Sequence, residues 1–206
     1  MPRRATVLTI DSRSASLCPP CSWRERLPEK IKLQTSYRPV YPTPAALVTT
    51  ISEEGVANII SLGEVFNISI ESPVIVGIAV RPHRYSYGLI VRTREFVVNL
   101  PHAGLLPQVL ACGRCSGRDV DKFALTGLTP VKGSQVRPPL IAECPVNLEC
   151  KVLDIMRIGD HDLITGLVVA EHVNEDVLDE NGEVDAGKLG AFAMVRGDFR
   201  VIGDRV

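Results

Sequence analysis

The sequence predicts a mainly-β fold, an antiparallel β-barrel with short helices over its openings. Three observations carry this. β-Branched apolar runs outnumber helical patterns, and Gly and Pro punctuate them in place of the long helices a doubly wound sheet requires. One run also shows the two-residue alternation of a half-buried strand.

Residues 1–30 are rich in Arg, Ser, Pro and Thr without a sustained period and include CPPCSWRERLPEK. They are expected to form a poorly ordered arm, with residues 31–206 as a single domain. From Tyr37 onward the texture becomes β-rich. Strands are expected over residues 45–51 and 56–60, on either side of the turn-forming SEEG. Residues 74–80 form an apolar run without alternation, expected to be buried on both faces. A short helix fits residues 86–94, a strand 96–100, a helix 102–111 with a break or bend at Pro107, and another short helix 119–125. Over residues 146–155 the alternation sends Val146, Leu148, Cys150 and Val152 inward and Asn147, Glu149 and Lys151 outward. A last strand is expected over residues 163–173. Residues 171–185 hold seven acids and no Lys or Arg, the composition of a solvated loop.

At 206 residues the chain has room for one full domain. Its 45% apolar and 23% charged residues, with a formal net charge of -1, exclude disorder of the whole chain. The first 40 residues hold eight basic groups against three acids, and the remaining 166 hold 15 against 21. A body with that acidic balance offers no basic face for phosphate neutralisation, so no nucleic-acid partner is expected. The longest apolar stretch, residues 73–80, is too short to cross a membrane, and the N-terminus lacks an apolar signal core. A cytoplasmic protein with no membrane partner is expected.

Several motifs are weak. GEVDAGKL, starting at Gly182, follows a P-loop for seven positions and then fails where a Ser or Thr must bind magnesium; its Glu183 and Asp185 would also repel phosphates. No GxGxxG or GxSxG is present, the four His residues have no metal-ligand spacing, and the Asn67-Ile68-Ser69 sequon has no meaning without secretion. Two CxxC pairs, Cys18 with Cys21 and Cys112 with Cys115, leave open a shared zinc site, thiol redox chemistry, or ordinary reduced thiols. Cys144 and Cys150, near or within strands, read as small buried apolar residues.

The most informative chemistry follows the buried strand. Arg81-Pro82-His83-Arg84 leads to Ser86 at a helix start, where unpaired first-turn amides, a hydroxyl and two guanidiniums suit a phosphate monoester. An ordinary N-cap with solvated arginines is the competing reading. A second loop, Cys112 to Asp119, brings glycines, Ser116 and Arg118 before another short helix, suited to closing over the same ligand. Polar groups in Val48-Thr49-Thr50 and in Asn58 to Ser61 suit the heteroatoms of a planar ligand. His161, flanked by Asp160 and Asp162, reads either as a surface turn or as a histidine kept protonated by its neighbours.

TSYRPVYPTPAALVTT, ANIISLGEVFNISIESPVIVGIAV, RPHRYSYGLIVRTREFVVNLP, CGRCSGRDVDKF, PVNLECKV and GDHDLITGLVV, in this order, resemble the flavin reductase-like family of FMN-binding split barrels. The resemblance implies a mainly-β, antiparallel Greek-key split β-barrel with short flanking helices, a homodimer, and an FMN near each subunit contact. By position, Val48, Thr49, Thr50, Asn58, Ser61 and Leu62 resemble the stretch along the isoalloxazine and ribityl chain. Arg81, Arg84, Ser86 and Tyr87 resemble the phosphate end, Lys122 an added contact, and His161 a residue on the nicotinamide side. The implied activity is that of an FMN-dependent oxidoreductase taking hydride from NADH or NADPH and reducing flavin or a small acceptor such as ferric iron. An FMN-bearing electron carrier docking a redox partner, and a thiol or zinc module on the two CxxC pairs, are the alternatives. The Cys18–Cys21 arm and the second thiol at Cys115 depart from the family pattern.

Overall fold

A computed structural model describes residues 31–32 and 38–203. The chain divides into units Met1–Tyr37 and Arg38–Val206, and the fold below is that of the second. Its elements in order are β1 (Thr43–Pro44), β2 (Ala46–Ile51), β3 (Ala57–Leu62), β4 (Val65–Ser69), β5 (Ile75–Val80), α1 (Tyr85–Thr93) and β6 (Glu95–Leu100). There follow α2 (Leu106–Arg114), α3 (Lys122–Thr126), β7 (Pro130–Val131), β8 (Leu140–Ile141), β9 (Val146–Ile158), β10 (His161–Val173), α4 (Ala186–Leu189), β11 (Phe192–Val195) and β12 (Asp198–Val201). Seven strands form an antiparallel sheet in the order β3-β2-β6-β9-β10-β5-β4. β1, β11 and β12 make a small second sheet, and β7 pairs with β8. The architecture is the mainly-β, antiparallel split barrel expected, with short helices against it.

Alternation along the strands divides the core. One side gathers Ala46, Val48, Val76, Ile78, Val80, Phe96 and Ile164, with Ile90 of α1 inserted among them. The other gathers Ala45, Leu47 and Ile59 under Val109 and Cys112 of α2, Phe123 of α3 and Phe192 of β11. Gly166 on β10 makes room for the first cluster: a Cβ there would lie 2.5 Å from the Phe96 ring.

Two expectations need correction. The helix expected over 102–111 does break beside Pro107, where a 3-10 turn, Ala103–Leu105, gives way to α2, but its end lies later: Pro107 falls in the first turn of α2, where its missing N–H is no loss. The helix therefore runs on to Arg114 and takes in Cys112. Asn147 and Glu149, expected to face solvent, are buried, because the segment between β7 and β8 folds back over that face of β9. Glu149 is fully enclosed. Its carboxylate accepts from the Ser134 amide and hydroxyl and from the Gln135 and Val136 amides at 2.7–2.8 Å, and His172 Nε2 lies 2.6 Å away. Burial opposes its ionisation, but these donors overcome that and hold it at about 2. Asn99, Asn147 and the Ile141 backbone form a second buried network on the same face.

The expected strands otherwise form within a few residues of their predicted limits. β4, β11 and β12, and the two-residue strands β1, β7 and β8, lie outside the expected strands. The segment beginning at Gly182 is a turn leading into α4, where Asp185 caps the helix by accepting from the Gly187 and Lys188 amides. Among the described residues no helix is long and apolar enough to cross a membrane. Cys18 and Cys21 lie outside the described residues.

Candidate functional site

β5 ends at Val80 and the chain turns through Arg81 to Arg84 into α1. Arg84 is the N-cap residue in extended conformation; no side chain caps this end, and the first turn holds no acid. An uncapped, acid-free N-terminus leaves outward-facing amides and a positive dipole end. Beside it stands a buried polar triplet: Asn58 Nδ2 donates to Ser86 Oγ at 2.8 Å and to Thr50 Oγ1 at 3.1 Å. Thr50 and Asn58 are register partners across β2 and β3, which is how residues eight apart in sequence meet. Asn58 Oδ1 is buried and has no hydrogen-bond partner.

The loop after α2 closes over this triplet. A Cβ on Gly117 would lie 1.9 Å from Asn58 Oδ1 and 3.0 Å from the Tyr85 ring, so only glycine permits this approach. Arg118 stacks its guanidinium 5.6 Å from the Tyr85 ring centroid and reaches the His83 carbonyl at 3.4 Å. Lys122 is buried and donates to the Cys112 carbonyl at 2.7 Å. Burial pulls its ammonium below the ordinary lysine range, with the Cys112 and Cys115 thiols opposing the shift and Arg84 adding to it.

Next to the triplet lies an open cleft of about 230 Å³. Ser61, Leu62 and Arg84 line it, together with Arg38, Gly113 and Phe199. Arg38 pairs with Glu64 at 3.2 Å on its wall. Met194 and Phe199 carried no signal in the sequence: they belong to the terminal sheet, and only the fold brings them to Ser61.

A third group forms where β5 and β10 end side by side, Val80 opposite Asp162. Arg81 pairs with Asp160 at 2.9 Å, and Asp160 meets His161 Nδ1 at 2.8 Å. Tyr87 donates to the buried Asp162 at 2.7 Å, which raises the Tyr87 phenol above its usual range, burial adding to the shift. The His161 hydrogen bond, aided by the Arg81 charge, lowers Asp160.

The residues singled out in the sequence thus separate by location. Thr50, Asn58 and Ser86 form the triplet; Ser61, Leu62 and Arg84 line the cleft; Arg81, Tyr87 and His161 surround the strand ends; Lys122 stands under the closing loop. Two side chains lie apart. Val48 is enclosed in the apolar core, and Thr49 points to the opposite face of β2 from Thr50, donating to the Pro139 carbonyl. Alternation along β2 turns Thr49 to the other face, whereas Val48 shares the face of Thr50 but is taken up by the apolar core.

An uncharacterized protein of Archaeoglobus fulgidus is 34% identical over 146 residues, 71% of this chain and 80% of its own length. An NADH:riboflavin 5'-phosphate oxidoreductase of Streptomyces pristinaespiralis is 29% identical over 62% of this chain and 69% of its own. The solved structure of flavoredoxin from Desulfovibrio vulgaris (Miyazaki F) superposes with a TM-score of 0.79 at 25% identity, covering 86% of this chain and 96% of that one. The model of the flavin reductase like domain matches residues 37–200, so the chain belongs to the flavin reductase-like family.

Proposed function

We propose that this protein binds FMN and acts as an NAD(P)H-dependent flavin oxidoreductase, passing electrons to flavin or to a small acceptor such as ferric iron. The observation that carries the reading is the uncapped N-terminus of α1, with Arg84 in the cleft and Ser86 hydrogen-bonded to Asn58, whose own carbonyl has no donor. The residues present fit FMN: guanidinium and outward amides suit its phosphate, and the orphaned acceptor suits an N–H or hydroxyl of the ligand. Arg84, Arg81 and Ser86 would hold the phosphate end, and Thr50, Asn58, Ser61 and Leu62 the chain and ring. Lys122 adds positive charge from beneath. When bound, the isoalloxazine supplies a two-electron acceptor for hydride. The protein's own work is to bind, to orient, and to present one face beside His161, whose Asp160 and Arg81 neighbours fix its position. The NADH:riboflavin 5'-phosphate oxidoreductase relative supports a nicotinamide donor.

The test is the visible spectrum of desalted, FMN-reconstituted protein, recorded anaerobically with NADH and then NADPH. A retained band near roughly 450 nm that bleaches within seconds is expected. A retained band that persists overturns the reductase reading in favour of an electron carrier that needs a protein partner. No retained band removes FMN as a resident cofactor.

A homodimer belongs to the same proposal. Phe66 and Ile68 on β4 and Met156 and Ile158 on β9 are each about half exposed on the outward face of the β4-β5-β10-β9 wall. His161 pairs with Ile158 at the border of this face, so a second copy seated there would lie beside the site. Light scattering is expected to give twice the 22.5 kDa chain mass, and changing Phe66 and Met156 together to Glu is expected to give the monomer. A wild-type monomer at micromolar concentration overturns it.

A further inference from the structure

We propose that Cys112 and Cys115 form an oxidisable dithiol, in which Cys115 meets a hydroperoxide and Cys112 closes a disulfide onto it.

The two residues stand one turn apart at the end of α2, where side chains at this spacing are neighbours on one face. Cys112 lies within the last helical turn. Cys115 is the C-cap residue in extended conformation (φ -126, ψ 163), so its backbone belongs to the loop and can adjust toward disulfide geometry without bending the helix. Its sulfur is folded back over that last turn, 3.4 Å from the Ala111 carbonyl.

Burial assigns the roles. Among the described cysteines, Cys112, Cys144 and Cys150 are enclosed, whereas Cys115 is half-buried and can meet a small oxidant. Burial pushes the Cys112 thiol up to about 11 and those of Cys144 and Cys150 up to about 12, so none of these three is a ready first nucleophile. Lys122 stands at the pair: its Nζ is fixed on the Cys112 carbonyl, and its positive charge opposes the rise of the Cys112 thiol.

The chemistry balances with the peroxide alone. The Cys115 sulfur attacks one peroxide oxygen, the S–O bond forms as the O–O bond breaks, and the departing hydroxide takes the thiol proton to become water. The Cys112 sulfur then attacks the sulfenic sulfur. The S–S bond forms, the S–O bond breaks, and hydroxide leaves with the Cys112 proton as a second water. Two thiols lose two electrons and the peroxide gains them. No flavin takes part, so this inference stands or falls independently of the FMN reading. The disulfide would sit at the base of the loop that carries Gly117 onto Asn58.

The test uses full-length protein treated with hydrogen peroxide, alkylated and digested with trypsin. Arg114 lies between the two cysteines, so cleavage after it separates them unless a disulfide holds the peptides together. A Cys112–Cys115 linked pair that dithiothreitol releases is expected. Cys115→Ser is expected to abolish the pair and to slow peroxide-driven loss of the Cys112 thiol by about tenfold. Full alkylation of Cys115 after treatment, or a disulfide from Cys112 to Cys144 in its place, overturns the proposal.

Discussion

Replacing Glu149 with alanine is expected to lower the unfolding free energy by about 3–5 kcal/mol, the largest loss from any single side chain on β9. The carboxylate is fully enclosed, and its removal strands the Ser134, Gln135 and Val136 amides and His172 together. A stranded buried donor costs its full desolvation, which is why the effect exceeds that of one hydrogen bond. The pH dependence has a definite sign. Because the folded group is held at about 2, below the 4.5 of an unperturbed glutamate, its contribution is fully present above pH 4.5 and is lost as the pH falls toward 2. Urea unfolding at a series of pH values should therefore show an acid limb on the order of 2 kcal/mol in that window, much reduced in Glu149→Gln. A variant as stable as the wild type at pH 7 would mean that the 133–136 segment is not held by this carboxylate.

The second large effect separates the two ends of the site. Arg84→Ala is expected to weaken FMN binding by about ten- to a hundredfold, since a charge-assisted contact to phosphate is lost while α1, which has no side-chain cap to lose, still forms. His161→Ala is expected to leave FMN retention unchanged and to slow anaerobic bleaching by NAD(P)H about tenfold. Fluorescence titration of FMN and stopped-flow absorbance measure the two. Equal flavin affinity in Arg84→Ala would move the phosphate away from α1, and unchanged bleaching in His161→Ala would return that histidine to an ordinary turn.

Much of the barrel was legible because its strands announce themselves locally. The β-branched runs from Ala46, Ile75 and Glu95 need no tertiary information to be read as strands. Arg84 and Ser86 were legible for a similar reason, as neighbours at a strand-to-helix junction. What escaped depends on contacts distant in sequence. Glu149 reads as a surface acid until a segment 13 to 15 residues earlier folds over it. Phe199 reaches the cleft only through the terminal sheet. Thr49 and Thr50 are indistinguishable by composition, and only the strand's phase gives one to the core network and the other to Asn58.

β9 is longer than the neighbour it shares with the rest of the sheet: β6 leaves it at Lys151, and the residues to Ile158 are paired on one side only, with β10. Those last residues carry Leu153, Met156 and Ile158, three half-exposed apolar side chains on a strand edge that Arg94 covers at the Val152 and Leu153 carbonyls and that has no strand partner beyond, the kind of template on which chains polymerise. Asp154 and Arg157 interrupt the run with opposite charges. Set among those apolar side chains, the two charges work against strand-to-strand stacking along this edge, as gatekeeper residues do.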